Sequence, residues 1–449
     1  MHRSIRVLAL LGALALGAGC ASEATVERSA RPPSRPAAPR DLRYDPRHVV
    51  PMIPALPECF PDSSLAQPPA PAPPDLAAAL GGFLADMDAM GGHDVSLSFW
   101  VDGLGEVLAH DPDRALAPAS NEKLFTAMGA LAVLGPDAVL STELRLTPTG
   151  DLAVVGGGDA TLTARGAHSV DTLVALARAG GLATVTGALV VDESRHDGAR
   201  RAAAWQDWQI PTHTGPLSAF MVDDNRWRAD AGFVADPALG NAELLRAALA
   251  AQGVGVLGPT VPAAAPTTGT TVASLPSAPV AALVRDMLLR SDNQIADLLL
   301  KEIGRAREPV GSLAGGARVT TDALRALCVP LAGAVDDGSG LSRGNARSAR
   351  EWRSILQAAR GQAWWPLLHD ALPVAGRSGT LTGRMRGTAA DGTVHAKTGT
   401  IIGGTALAGY GTTVSGRAVV FSVVVNGPGA ESAAGAVDRL VAAVAATGT

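Results

Sequence analysis

Ser120 and Lys123 stand three residues apart in the stretch Pro118-Ala119-Ser120-Asn121-Glu122-Lys123, where an apolar helical pattern begins. Positions i and i+3 of a helix share a face, so the hydroxyl and the amine can meet. A hydroxyl beside an amine that can lose its proton is an activated nucleophile. The pair therefore has the chemistry of a serine acyl-transfer centre. Two further stretches carry comparable groups, Ser291-Asp292-Asn293 and Lys397-Thr398-Gly399. Each has a plainer explanation. Ser120 could be a helix N-cap, Ser291 with Gln294 could form a capping box, and Lys397 could be a solvated strand residue beside a turn glycine. Lysine usage argues against three coincidences. Of 37 basic residues only Lys123, Lys301 and Lys397 are lysines, and two of them fall in these stretches. Arginine does not deprotonate, whereas a desolvated lysine can.

The elements that must position these groups follow from periodicity and turn residues. Helical spacing predicts a helix over 76–90, ending at Gly91-Gly92. Strands over 95–101 and 106–109 flank an Asp102-Gly103 turn, and the helix carrying Lys123 runs to about 134 before Gly135-Pro136. From 138 to 265 the character changes. A hairpin (142–146 and 152–155), a helix (170–179), a strand (188–191), a loop-rich stretch (205–227) and a helix (241–252) read as an α+β insertion. A Pro/Thr/Ala stretch over 259–279 leads out of it. Helices over 280–289 and 294–303 then bracket Ser291-Asp292-Asn293. Strands over 394–400, 405–412 and 418–425 precede a last helix over 431–446. The simplest packing is α+β: one five-stranded antiparallel sheet, with the terminal helices on one face and the middle helices on the other. The insertion hangs from the helical side.

Three such motifs in this order are the set found in penicillin-binding proteins and class A β-lactamases, and the chain resembles that superfamily. From Lys123 to Ser291 is 168 positions (291 − 123), a stretch in which a class A β-lactamase has only a small helical domain. The long insertion resembles the D-alanyl-D-alanine carboxypeptidase/endopeptidase family of class C low-molecular-mass penicillin-binding proteins. So do Gly156-Gly157-Gly158-Asp159-Ala160-Thr161-Leu162, Asp337-Gly338-Ser339-Gly340-Leu341-Ser342, Leu372-Pro373-Val374-Ala375-Gly376 and His395-Ala396-Lys397-Thr398-Gly399-Thr400. The resemblance covers roughly 76 to 446. It departs where Ala160 replaces a common Pro and Ser378 a common Asp, and the insertion is a single, reduced one.

The resemblance implies a serine β-lactamase/penicillin-binding-protein transpeptidase-like fold, with the peptidase domain at 75–137 and 266–449 and the inserted domain at 138–265. It implies a serine-type D-Ala-D-Ala carboxypeptidase/endopeptidase acting on peptidoglycan stem peptides or their cross-links, with β-lactams as covalent inhibitors. It implies no metal and no cofactor. Ser120 would attack the D-Ala-D-Ala carbonyl, Lys123 would be the general base with its pKa depressed by Lys397, and Ser291 would relay a proton. Asn293 would orient Lys123 and the substrate amide. Lys397, with Thr398 and Thr400, would bind the terminal carboxylate, and Gly399 would let the substrate backbone lie close. The N–H groups of Ser120 and Thr400 would form an oxyanion hole. His395 is expected to be structural, and Trp205 and Trp208 to belong to the insertion core. Two alternatives share the motifs: a β-lactamase, and a non-catalytic envelope lipoprotein of the same fold. The long insertion and the absence of an evident deacylating Glu motif speak against the first, the intact motif residues against the second.

Composition agrees with an exported globular protein. Apolar residues make up 47% and charged residues 18%, enough for a large core. The net charge of −5, with no long basic run, excludes a nucleic-acid binder, and 4% aromatics leave no evident stacking platform. Arg3 and Arg6 precede an apolar run over 7–16 that is short for a membrane span, so residues 1–21 read as a signal peptide. Gly17-Ala18-Gly19-Cys20 resembles a lipoprotein cleavage site, which would tether the protein to a membrane through Cys20. Its place would then be the periplasm or the extracellular face of the cytoplasmic membrane. Residues 22–74 are a Pro-rich tether. Cys59 and Cys328 remain to pair with each other in an oxidising compartment.

Overall fold

The strand at Ala418–Asn426 explains why a sheet forms at the centre of the molecule. Val419, Phe421, Val423 and Val425 are buried in one apolar cluster, while Val420 and Val424 are buried in another. A strand buried on both faces needs a helical layer on each side. The computed structural model describes residues 40–41, 73–228, 232–233 and 236–448. The expected signal peptide, Cys20, Cys59 and nearly all of the tether lie outside the described residues.

In chain order, helix α1 (Pro74–Ala89) precedes a hairpin of β1 (Asp94–Val101) and β2 (Gly105–His110), then helix α2 (Glu122–Gly129). Strands β3 (Ser141–Leu146) and β4 (Leu152–Val155), helix α3 (Val170–Ala179), strand β5 (Leu189–Asp192), helix α4 (Pro237–Ala251) and strands β6 (Thr260–Pro262) and β7 (Thr270–Pro276) follow. Helices α5 (Val280–Arg290), α6 (Asn293–Arg305), α7 (Leu313–Arg325), α8 (Ala349–Ala359) and α9 (Trp365–Ala371) lead to β8 (His395–Ile401), β9 (Gly404–Thr412), β10 (Ala418–Asn426) and α10 (Ala434–Ala445).

The first and last parts of the chain make one antiparallel sheet in the order β8-β9-β10-β1-β2. The rings of Phe99 and Phe421 stack 5.3 Å apart across β1 and β10. On their face, Leu76 and Phe83 of α1 and Leu440 and Val444 of α10 close one core. On the other face, Phe125 of α2, Leu299 of α6 and Trp352 of α8 close a second. This is the five-stranded sheet with terminal helices on one side and middle helices on the other that the sequence pattern leads one to expect.

A second five-stranded sheet, in the order β6-β5-β4-β3-β7, is mixed: β5 is parallel to both β4 and β6, and β3 is antiparallel to β4 and β7. With α3 and α4 it encloses a core of its own, around Leu144, Val154, Leu173 and Leu245. Strand β7 lies beyond residue 265, where the insertion was expected to end, so this sheet draws on the chain from 141 to 276. The Pro/Thr/Ala composition of 259–279 hid two strands. Both are edge strands, and Pro262 and Pro276 end them, the places where a residue without an N–H does least harm. Helix α4 starts earlier than the pattern suggests because the Asp236 side chain accepts from Leu239 N–H and Pro237 opens the first turn.

A buried ion cluster joins the second unit of structure to α6. Glu302 receives two bonds from Arg195, at 2.7 and 2.6 Å, and one from His196 at 2.6 Å. Burial pushes the Glu302 carboxyl up, but Arg195 and His196 outweigh it and hold the group down at about 2. The neighbouring Lys301 donates to Asp197 at 2.6 Å and to the Ala199 carbonyl at 2.7 Å. Cys328 is disulfide-bonded; Cys59, its expected partner, lies outside the described residues.

Candidate active site

The site is built at a strained turn. Ala119 has φ +49°, an unfavourable left-handed conformation for a residue with a Cβ. A 3-10 turn over Ala119–Asn121 then runs directly into α2. No side chain caps this helix, so Ser120 is not spent as an N-cap. Its hydroxyl instead accepts from Lys123 Nζ at 3.0 Å. The turn is held from two sides by glycines. A Cβ on Gly340 would lie 1.8 Å from the Ala119 carbonyl oxygen, and one on Gly399 would lie 2.7 Å from that of Pro118. Gly399 was expected to make room for substrate. The close approach seen at its Cβ position is that of the protein's own Pro118-Ala119 backbone.

Lys123 is fully buried. Besides Ser120 Oγ, its Nζ donates to Asn293 Oδ1 at 2.7 Å and to the Ser339 carbonyl at 2.6 Å. All three acceptors are neutral. Burial, which penalises the ammonium, lowers the pKa from its usual 10.5 to about 8, against the upward pull of Asp297, Asp337, Asp292 and Glu122. The expected depression by Lys397 is replaced by desolvation as the main cause. The like-charge effect runs the other way: burial first, then the charge of Lys123, push Lys397 well below its normal value.

Ser291 ends α5 in a left-handed conformation, φ +59°. The capping-box explanation assigned the wrong residue. Asp292 is the N-cap of α6, its Oδ1 accepting from Ile295 N–H at 3.0 Å, which leaves the Ser291 hydroxyl free to accept from Lys397 Nζ at 2.9 Å. Lys397 is fully buried and also donates to the Thr398 carbonyl at 2.7 Å. Thr398 Oγ1 donates to Thr380 Oγ1 at 2.8 Å. Strand β8 is a sheet edge. Ala396 N–H donates away from the sheet, to Pro373 O at 2.9 Å. By strand alternation the N–H groups of Thr398 and Thr400 face the same way, and the Thr400 residue is exposed. Past Thr400 a cavity of about 550 Å³ opens, lined by Ile401, Ile402, Ala117 and Asn426 among others.

Ser120, Lys123, Ser291, Asn293, Lys397 and Thr398 are thus linked by hydrogen bonds into two pairs and their supports, and Gly399 packs on the Ser120 turn. Several groups of the site carry no motif of their own. Asp297, one helical turn after Asn293, accepts from the N–H groups of Gly338 and Ser339 at 2.8 and 3.0 Å and so aims the Ser339 carbonyl at Lys123. Asp337 accepts from Gly340 N–H and Ser342 N–H, both at 2.7 Å, and from Trp205 Nε1 at 2.7 Å. The Asp337-Gly-Ser-Gly-Leu-Ser stretch was the available signal for this loop. Trp205 is a correction: it is buried in the core on the α2 side of the main sheet, not in the insertion core, and Trp208 is exposed. His395 stacks on His369, ring centres 4.2 Å apart, away from the Ser120–Lys123 pair.

A buried lysine bonded to a serine hydroxyl, on a five-stranded antiparallel sheet flanked by helices, defines a serine acyl-transfer enzyme of the penicillin-binding-protein and β-lactamase fold class. The D-Ala-D-Ala carboxypeptidase 3 (S13) family matches residues 76–232 and 228–447, and the chain belongs to that family. It is 32% identical over 471 residues to carboxypeptidase DacB of Mycolicibacterium smegmatis, covering 98% of this chain and 95% of that one. It is also 32% identical over 410 residues to the D-alanyl-D-alanine carboxypeptidase of Actinomadura sp. (strain R39), covering 72% and 75%. The crystal structure of penicillin binding protein 4 (dacB) from Haemophilus influenzae superposes with a TM-score of 0.69 at 22% identity, covering 77% of this chain and 93% of that one.

Proposed function

We propose that Ser120 is the nucleophile of this serine-type D-Ala-D-Ala carboxypeptidase/endopeptidase, a periplasmic or extracellular peptidoglycan-acting enzyme, and that neutral Lys123 is its general base. The supporting observation is the bond at 3.0 Å between the half-buried Ser120 Oγ and the Nζ of Lys123, which is fully buried among neutral acceptors. When Lys123 has lost its proton, the bond reverses and the hydroxyl donates to the amine. Ser120 then attacks the carbonyl of a D-Ala-D-Ala peptide bond, and its proton passes to Lys123. The oxyanion is met by the N–H groups of Ser120, at the start of α2, and of Thr400, on the open edge of β8. Ser291, whose hydroxyl is bonded to Lys397 Nζ at 2.9 Å, relays the proton to the leaving nitrogen. Lys397, Thr398 and Thr400 receive the terminal carboxylate, whose charge restores the Lys397 ammonium that burial disfavours. Gly399 keeps β8 close to the nucleophile turn. Water then releases the acyl group from Ser120.

Labelled penicillin acylates the wild-type protein covalently, and Ser120→Ala abolishes the label; persistent labelling of that variant sinks the assignment. Mass spectrometry of products from purified cross-linked muropeptides separates trimming of terminal D-Ala from cleavage of cross-links. No helix among the described residues is long and apolar enough to cross a membrane. The Gly17-Ala18-Gly19-Cys20 stretch supports a lipid on Cys20 holding the enzyme by its Pro-rich arm. Fatty-acid labelling in cells, lost in Cys20→Ser, tests this.

A further inference from the structure

Lys123 does not by itself decide which end of the Asn293 amide faces it. Against the ammonium, Oδ1 is preferred. Against the neutral amine that must take the Ser120 proton, either end fits, and a turned amide would donate an N–H to the amine lone pair and cap it. A third group settles the choice. Asn293 Nδ2 donates to the His213 carbonyl at 2.9 Å, which leaves only Oδ1 to face Lys123. His213 belongs to the segment 202–225, between β5 and α4, far from the motif residues in sequence.

That segment is fastened to the supports of the site. The Gln209 carbonyl collects the N–H groups of His213 and Thr214 at 2.8 and 3.2 Å, and Gln209 Nε2 donates to the Leu341 carbonyl at 3.0 Å. Trp205 Nε1 donates to Asp337, which organises the loop carrying Ser339. Gln294 Nε2, beside Asn293, donates to the Asp224 carbonyl at 2.7 Å. The bonds of Trp205 to Asp337 and of Gln209 to Leu341 are buried and shielded from water, whereas the Asn293–His213 bond they brace lies at the exposed end of the segment.

We infer that the segment 202–225 is a positioning strap for the reaction: the His213 carbonyl locks the Asn293 amide so that Lys123 keeps its lone pair free, with Gln209 and Trp205 as positioning residues. Nδ2 has a second N–H, which stays available to the substrate. The inference rests on the roles given above to Lys123 and Asn293.

The test is the second-order rate of acylation by fluorescent penicillin, per labelled molecule at completion, in Gln209→Leu and Trp205→Phe. Each variant is expected to acylate about three- to tenfold more slowly, the effect of one misdirected hydrogen bond. The acid limb of its pH–rate profile moves to lower pH, because the Lys123 ammonium has lost an acceptor. A purely structural role would not move that limb. In an Asn293→Ala background the strap substitutions add no further loss. If Gln209→Leu does not fold, Trp205→Phe, which removes the indole N–H together with part of a buried ring, carries the test. An unchanged rate, losses that multiply with Asn293→Ala, or faster acylation through relief of competition for Nδ2 would each overturn the strap. A wild-type protein that takes no label at all would instead overturn the assignment of Ser120.

Discussion

Lys123 and Lys301 are both buried lysines on helices, within the same helical layer, yet they have opposite surroundings. The Lys301 ammonium ends on the Asp197 carboxylate at 2.6 Å. The Lys123 head ends on a hydroxyl, an amide oxygen and a backbone carbonyl, and touches no carboxylate. Burial lowers both pKa values, but Asp197 pulls Lys301 back through a direct bond. Around Lys123 the carboxylates of Asp297 and Asp337 act only at a distance, through the loop they organise. A buried lysine against a charge is a pin; a buried lysine among neutral acceptors can give up its proton at a useful pH.

The largest way to break this contrast is to exchange each lysine for arginine, which keeps a permanent charge. Lys123→Arg is expected to slow acylation by about 10²–10⁴-fold, the range of a lost general base. Lys301→Arg should leave the rate per folded molecule within about twofold while lowering stability modestly. Equal losses in the two variants would remove the distinction.

Next in size, Glu302→Gln removes the charge that holds Arg195 and His196. A buried pair broken on one side costs about 3–5 kcal/mol, read as a fall in the denaturation midpoint at pH 7 with acylation per folded molecule retained. The folded pKa of about 2 is depressed below the usual 4.5. The stabilisation is therefore full above about 4.5 and is lost as pH falls towards 2, where wild type and variant should converge.

The smallest effect concerns Glu122, between Ser120 and Lys123 in sequence but turned into the core. Burial raises its pKa to about 8, with Arg347 at 3.8 Å only partly opposing this. A carboxyl whose folded pKa is raised resists the ionisation that the unfolded chain undergoes above about 4.5, so it costs stability as pH climbs from there to about 8. Glu122→Gln should raise Tm by about 2 °C or more at pH 8 and change little at pH 4. A gain that is the same at both values would show that ionisation is not the cause.

The contrast also marks what was legible in the chain. The rarity of lysine and the three motifs point to Ser120, Lys123, Ser291, Asn293 and Lys397, because their chemistry depends on side chains. The acceptors that complete the Lys123 pocket include the Ser339 carbonyl, and the lock on Asn293 is the His213 carbonyl. A backbone oxygen has no residue type to read, and its position depends on tertiary packing. The capping-box pattern at Ser291 misled for a related reason: Asp292, one residue later, is an equally good cap, and only the left-handed turn at Ser291 decides between them. The main sheet was legible from alternation at 95–101 and from long apolar runs elsewhere, since its strands are long and end at glycine turns. Strands β6 and β7 were not, being edge strands written in Pro, Thr and Ala.

The central claim is that Ser120 is activated by a lysine whose proton is lost near neutral pH. The most direct measurement is the second-order rate of penicillin acylation from pH 6 to 10, with the modified residue located by peptide mass spectrometry. The account predicts acylation on Ser120 and a rate that rises with pH through about 8, where burial has brought Lys123, to a plateau above. A rate that stays flat across that range, or an acyl group found on any other residue, would contradict it.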